Sequence, residues 1–269
     1  MGVSLTTLFS LVGAFGLFLG AILWETDNPI IFFSLSSFII VFGGTMASAF
    51  VSYEPRYVLL SLKLIGRIMF TPKVGRDILK AEVGRMIRWA YIVQKGGPPA
   101  LEVEASKAVK GDKFLKFGVE MVTSGYSGDE VRDIMTNLTE TTFGRNTVQV
   151  NILKFMASSA PAFGMVGTLI GLVIMLDKMG GDPSALGGGL AVAMITTLYG
   201  VLLARMLFIP ASNKIMQREQ IVRFRNYLVA EGLILMADRK SPRYIQDKMN
   251  SYLDPAIHFN IDKAKRSES

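Results

Sequence analysis

The stretch APAFGMVGTLIGLVIMLDKM, residues 160–179, decides how this chain folds. It has no charge before Asp177, so it is apolar enough to lie in a bilayer. Yet it holds Pro161, Gly164, Gly167, Gly171 and one interior hydroxyl, Thr168. A span that met only lipid would have no use for so little volume on one flank. Ala157, Ala160, Gly164, Thr168 and Gly171 recur at steps of 3, 4, 4 and 3, which a 3.6-residue period gathers into one stripe of small side chains. Downstream, Ala193, Thr197, Gly200 and Ala204 form a second stripe at steps of 4, 3 and 4. Lipid supplies no hydrophobic force between helices, and small residues let their backbones approach closely. Both stripes are therefore expected to face protein. One reading is tight packing, between these two spans or between subunits; the other is a path for an ion.

Working outward, four stretches reach the roughly 20 apolar residues that a crossing needs: 4–24, 30–53, 155–176 and 186–208, the last with Arg205 near its end. The connections ETDNP and DKMGGDPSA are short, so each pair of spans is a helical hairpin. The N-terminus has no basic run and no small-residue cleavage site before Glu25, which predicts a retained first span. GGDPSALGGGL lacks the lysine and hydroxyl of a phosphate loop and follows no strand; it predicts a turn with a helix start at Asp182–Pro183. Half the residues are hydrophobic, and the mean hydropathy of +0.37 fits spans combined with a polar part.

Basic residues set the orientation. The short loops hold Glu25, Asp27, Asp177 and Asp182 against Lys178, whereas segment 54–154 holds 16 Lys and Arg, and the tail from Pro210 holds 11. The positive-inside rule places that segment, the tail and both termini in the cytoplasm. The net charge of +7 is then a topology signal, and 11 acidic residues interspersed in segment 54–154 argue against nucleic-acid binding. Segment 54–154 reads as helices broken at Gly-Gly and Pro-Pro. One is RDILKAEVGRMIRWAYIVQKGG, with apolar Ile78, Val83, Ile87, Tyr91 and Ile92 near helical spacing. LEVEASKAVKGDKFLKFGVEMVTSG follows, and DEVRDIMTNLTETTFGRNTVQVNILKFMA is expected to run straight into the third span. The tail helix NKIMQREQIVRFRNYLVAEGLILMADRK is expected to continue the fourth. The expected fold is all-α: a polytopic membrane protein with four transmembrane helices and a helical cytoplasmic domain. Its segments are 1–53, 54–154, 155–209 and 210–269.

The chain has no cysteine, and its one histidine, His258, reads as a solvated tail residue. Thiolate sites, histidine metal clusters and the usual nucleophilic triads lose their residues, so no enzyme is expected. No Asp or Glu lies inside any span. The antiparallel third and fourth spans put Thr168, Thr196 and Thr197 at similar depth, where three hydroxyl oxygens can partly replace water around a small hard cation. Each threonine can instead bond the carbonyl four residues back. Ion and proton relays in membranes normally use a carboxylate, so an ion path here needs one from another chain. Pro161 removes a backbone hydrogen bond and favours a kink on the cytoplasmic side of Thr168.

APAFGMVGTLIGLVIML, the loop with DPSALG, and LAVAMITTLYGVLLARMLFIPASNK resemble the MotA/PomA flagellar stator subunits of the MotA/TolQ/ExbB group. The four-span order and the tail SPRYIQDKMNSYL resemble them too, so the likeness runs over nearly the whole chain. The resemblance implies a homo-pentamer around two copies of a MotB/PomB-type partner, which brings the membrane aspartate and a peptidoglycan anchor. It implies residence in the bacterial inner membrane, ion-driven rotation and torque on the rotor protein FliG. Thr168, Thr196 and Thr197 match hydroxyl positions associated with sodium in PomA-type subunits; proton drive is the alternative, and no cofactor is implied. Pro161 and Pro242 match two mechanistic prolines. Lys95 and Glu102 match rotor-contact positions. Here Gln94 stands where the first basic residue is usual, Pro98-Pro99 replace an apolar pair, and Arg88 on the same helix is expected to supply the missing charge. A TolQ/ExbB-type energiser of the outer membrane is the rival, but such proteins usually have three spans, and the hairpin of spans 1 and 2 argues against it.

Overall fold

The computed structural model describes residues 5–70, 76–108, 111–178 and 183–260, and among these no β-sheet forms. Helix α1 is Leu5–Glu25. The second crossing is assembled from pieces: a 3-10 turn Pro29–Phe32, α2 at Leu35–Phe38, a π segment Ile39–Gly43 and α3 at Gly44–Ser52. Then come α4 (Pro55–Arg67), α5 (Arg76–Gly96), α6 (Pro98–Ala108) and α7 (Lys113–Thr123). Helix α8 runs unbroken over Gly128–Asp177. After it come α9 (Pro183–Leu202), a π segment Leu203–Phe208, α10 (Ile209–Ala237) and α11 (Pro242–Asn250). Four of these stretches are long and apolar enough to cross a membrane: Thr7–Glu25, Pro29–Ser52, and parts of Gly128–Asp177 and Leu186–Ala237.

The chain packs as two compact units, residues 1–71 with 146–217 and residues 72–145 with 218–269. The sequence segments follow hydropathy; the units follow packing, so the first joins both hairpins and α4.

In the first unit, α4 is a helix the apolar count does not reveal. Pro55 occupies its first turn, where a missing N–H does no harm. It buries Val58 and Ser61 and leaves Tyr57, Leu59 and Leu60 exposed beside Arg56, Lys63 and Arg67, the mixture of an interfacial helix. Span 2, expected as one helix over 30–53, is interrupted at Phe33–Ser34. A broken helix in a bilayer must have its freed backbone groups met by protein. Tyr199 meets them: its hydroxyl donates to the Phe32 carbonyl at 2.6 Å and accepts from the Ser34 N–H at 3.1 Å. Ser34 then caps α2 by accepting from the Ser37 N–H. The unit's core gathers Val150, Ile152, Leu153 and Met156 of α8 against Phe208, Ala211 and Ile215, all nearly inaccessible.

In the second unit, α5 ends at Gly97, whose φ of 73° is the left-handed conformation of a helix stop. Pro98 and Pro99 open α6 rather than break a helix, a correction to the expected Pro-Pro break; the break lies at the glycines. A second break, at Gly111–Asp112, divides the segment expected as one helix; Asp112 caps α7 by accepting from the Leu115 N–H at 3.0 Å. Val83 and Ile87 are buried as expected, but Ile78 is exposed and Tyr91 and Ile92 only partly covered. The buried face turns instead to Leu79, Met86, Trp89, Ala90 and Val93. Helices α7, α8, α10 and α11 complete this core with Leu115, Met135, Leu233, Met236 and Ile245. Gly118 lies under Leu233 and Met135, and Gly232 under Met86.

Candidate ion path and rotor-facing surface

The two stripes pack on each other within one chain. A Cβ on Gly171 would stand 2.6 Å from the Gly189 carbonyl oxygen, one on Gly189 would stand 2.7 Å from that of Gly171, and one on Gly200 would stand 2.6 Å from that of Ala160. Backbone meets backbone at each level, and nothing larger than hydrogen fits. Gly167, outside the expected stripe, belongs to the same seam: its missing Cβ leaves room for Thr196, whose side-chain atoms would otherwise lie 2.5–2.7 Å away. Pro161 lies inside α8 without ending it, with its Cα 3.1 Å from the Cβ that Gly200 lacks. Gly44 of α3 lies against the Phe163 ring.

Between Gly164 and Gly171 the seam opens just enough for hydroxyls. Thr168 Oγ1 lies 2.6 Å from Thr197 Oγ1, 3.0 Å from the Ala193 carbonyl and 3.1 Å from the Gly164 carbonyl. Thr197 also reaches the Ala193 carbonyl, at 3.4 Å. Thr196 donates to the Val192 or Ala193 carbonyl at 2.9 and 3.0 Å. The three expected threonines are thus gathered around one carbonyl, that of Ala193, but they are not equivalent. Thr197 is exposed, Thr168 half-buried and Thr196 fully buried. Thr168 and Thr197 present oxygens to whatever lies outside this chain; Thr196 faces inward. Each hydroxyl has one hydrogen and two lone pairs. With the hydrogens turned to the carbonyls, lone pairs of Thr168 and Thr197 remain for a cation. Among the described residues no cluster of acidic or histidine side chains offers a metal site.

In the second unit, Arg88 and Lys95 are both exposed on α5, two turns apart, with Lys95 in the last turn. Glu102 is exposed on α6 and shares a groove with Lys113, Lys116 and Glu120 of α7. The two lysines are the part of this surface that the sequence pattern did not single out. Lys95 and Glu102 form no ion pair with each other among the described residues. Pro242 is buried at the first turn of α11, whose N-cap Ser241 accepts from the Tyr244 N–H. Beneath the surface, Arg225 joins Glu82 of α5, at 2.6 and 3.0 Å, to the cap residue Asp112. Arg225 and Glu82 are almost fully buried. Glu82 Oε2 also faces Arg85 at 3.1 Å, close enough for an ion pair but poorly angled for a hydrogen bond. Glu140, on α8 well before its apolar part, accepts from the Tyr227 hydroxyl and from both ends of the Arg223 fork at 2.8 Å. These bonds, Tyr227's foremost, hold its carboxyl below the usual glutamate range and push the Tyr227 phenol up.

Residues 107–226 match the MotA/TolQ/ExbB proton channel family. Chemotaxis protein PomA of Vibrio alginolyticus is 30% identical over 251 residues, spanning 93% of this chain and 95% of the relative. Motility protein A of Treponema phagedenis is 32% identical over 253 residues, 92% and 94% of the two chains. Among solved structures, C. jejuni MotAB superposes with a TM-score of 0.83 at 24% identity, covering 94% of this chain and 96% of that one. The flagellar MotAB stator complex from Bacillus subtilis gives 0.80 at 24%, covering 94% and 97%. The fold expected from the sequence, all-α with four crossings, is the fold of these structures. With relatives matched over more than nine-tenths of both chains, this chain is a multi-pass membrane protein and not an enzyme, and it belongs to the MotA/TolQ/ExbB family.

Proposed function

We propose that this chain is the ion-path subunit of a flagellar stator, coupling cation flow across the inner membrane to torque on the rotor. Both termini and the second unit are cytoplasmic, by the distribution of Lys and Arg. The missing intramembrane carboxylate comes from a partner of the MotB/PomB type, in a complex of five such chains with two partners, and FliG receives the torque through the surface with Arg88, Lys95 and Glu102. The solved neighbours are described as MotAB complexes, which supports a partner of that type. Pro161 and Pro242 would act as hinges at the inner end of the ion path and at the start of α11.

One observation carries the reading: two accessible hydroxyls, Thr168 and Thr197, 2.6 Å apart in membrane-spanning stretches, 155–176 and 183–202, that hold no charge of their own. A bare proton needs one acceptor; sodium needs several oxygens, and this pair with the partner aspartate supplies them. Sodium is therefore the proposed ion. The second reading is proton drive, favoured by the way each threonine already has a carbonyl to donate to within the chain. The test is rotation of tethered cells against sodium concentration at fixed membrane potential and pH. Sodium drive predicts that rotation fails as sodium is withdrawn, that Thr168→Ala stops it or weakens its sodium dependence, and that Thr168→Ser is milder. Undiminished rotation in near-absence of sodium assigns the proton. No cation flux into liposomes is expected from the chain alone; robust flux without a partner would overturn the shared site.

A further inference from the structure

Arg205 is a charge that the ion path does not use. It is exposed in the π segment Leu203–Phe208, two turns or about 12 Å beyond Thr197, and has no ion pair or hydrogen bond among the described residues. π segments are rare and often mark functional positions. Arg205 lines a cavity of about 580 Å³ in the first unit. Lys214 and Thr7 line it too, with the Lys214 ammonium donating to the Thr7 hydroxyl. The walls are apolar, from Ile65 of α4, Met69 just beyond its end, and Leu207 of the π segment.

We propose that this cavity binds an anionic phospholipid of the cytoplasmic leaflet, its phosphate between Arg205 and Lys214 and an acyl chain along the apolar wall. The proposal rests on the orientation given above, which puts this end of the first unit at the cytoplasmic face. Two cations beside an apolar trough match a phosphodiester attached to hydrocarbon. A free phosphate would leave the trough unfilled, and a zwitterionic lipid would bring its own cation against Arg205 and Lys214. Basic pockets between spans on the cytoplasmic side are suited to anionic headgroups.

The test uses the full chain, purified with its partner and placed in phosphatidylcholine nanodiscs. These carry trace photoreactive phosphatidylglycerol or, in parallel, phosphatidylcholine with the same photoreactive group. Labelled peptides are mapped by mass spectrometry. Phosphatidylglycerol should label the segments around residues 65–69 and 203–214 several-fold more than phosphatidylcholine does. Arg205→Gln and Lys214→Gln should each weaken that labelling about five-fold and together about thirty-fold. The charge-preserving pair Arg205→Lys with Lys214→Arg should retain it, which separates lost charge from lost fold. Equal labelling by both lipids, no change in the double variant, displacement by inorganic phosphate, or a cross-link to a second copy of the chain at these peptides would each overturn the proposal. Because the chain has no cysteine, Ser251→Cys reports the side of the tail by itself. A tail found outside overturns the orientation, whereas a cytoplasmic tail with no lipid preference overturns only the lipid site.

Discussion

The two units of this chain are held together by different physics. In the first, α8 and α9 meet through glycine, with carbonyls lying where a methyl group would have to go. In the second, large aliphatic side chains such as Leu115, Met135 and Leu233 fill a conventional core around a buried arginine with two carboxylate partners. The difference follows from solvent. Water drives apolar side chains together whatever their shape; lipid does not, so contact there depends on close fit and on satisfied backbone groups. Helix α1 adds a control. Its Gly13, Gly16 and Gly20 repeat the same spacing, yet each faces open space within the chain. Spacing permits close approach; only a partner surface makes it happen.

The contrast can be broken first where it is strongest. Arg225→Met leaves buried Glu82 with only the poorly angled Arg85 contact, and breaking a buried pair typically costs about 3–5 kcal/mol. Trp89, buried in the same unit, should report that loss as earlier thermal unfolding; an unchanged midpoint would mean that hydrophobic packing alone holds the unit.

Gly200→Ala should come next. Its methyl group would meet the Ala160 carbonyl at 2.6 Å, and overpacking of this kind costs about 1–3 kcal/mol. Gly16→Ala should stay within about 0.5 kcal/mol in the isolated chain. Helicity followed through a detergent titration compares the two, and equal losses would erase the distinction between the stripes.

A smaller effect belongs to Glu140. Its folded pKa lies below the ordinary value of 4.5, so its contribution is complete above that value and is lost as pH falls through the lower folded one. The group is half-exposed, and pairs of this kind contribute below about 1 kcal/mol. Glu140→Gln should therefore flatten stability against pH only in the acid range below 4.5. A wild-type advantage that grew as the pH fell would contradict the sign.

Smallest for stability are Lys95→Glu and Glu102→Lys, exposed changes expected to leave unfolding within about 0.5 kcal/mol while lowering swimming speed at unchanged membrane abundance. Normal swimming for both, singly and together, would remove them from the rotor surface.

What could be read in advance follows the same division. The continuity of α8 into span 3 and of span 4 toward α10 was legible because long apolar periodicity survives without tertiary help. The gathering of Thr168 and Thr197 was legible because two stripes at matching depth leave few ways to meet. The break in span 2 was not, since it depends on Tyr199 reaching Phe32 and Ser34 from a distant part of the sequence. Both π segments escaped as well, because one extra residue in a turn leaves no mark on hydropathy. Gly167 fell outside the counted stripe because Thr196, its neighbour, lies on the other helix.

The hydroxyl of Thr168 has a single hydrogen and three oxygens within reach: those of Gly164, Ala193 and Thr197. Several hydrogen arrangements are therefore nearly degenerate, and they interconvert by rotation about one C–O bond. Such a cluster keeps some rotational entropy even when its heavy atoms are fixed. It acts as a small patch of polarisable medium within the span, able to turn oxygens toward a cation or hydrogens toward an anion while the helices stay where they are. A charge could then be admitted and released by reorienting dipoles, on the time scale of a rotor flip and not that of a backbone movement.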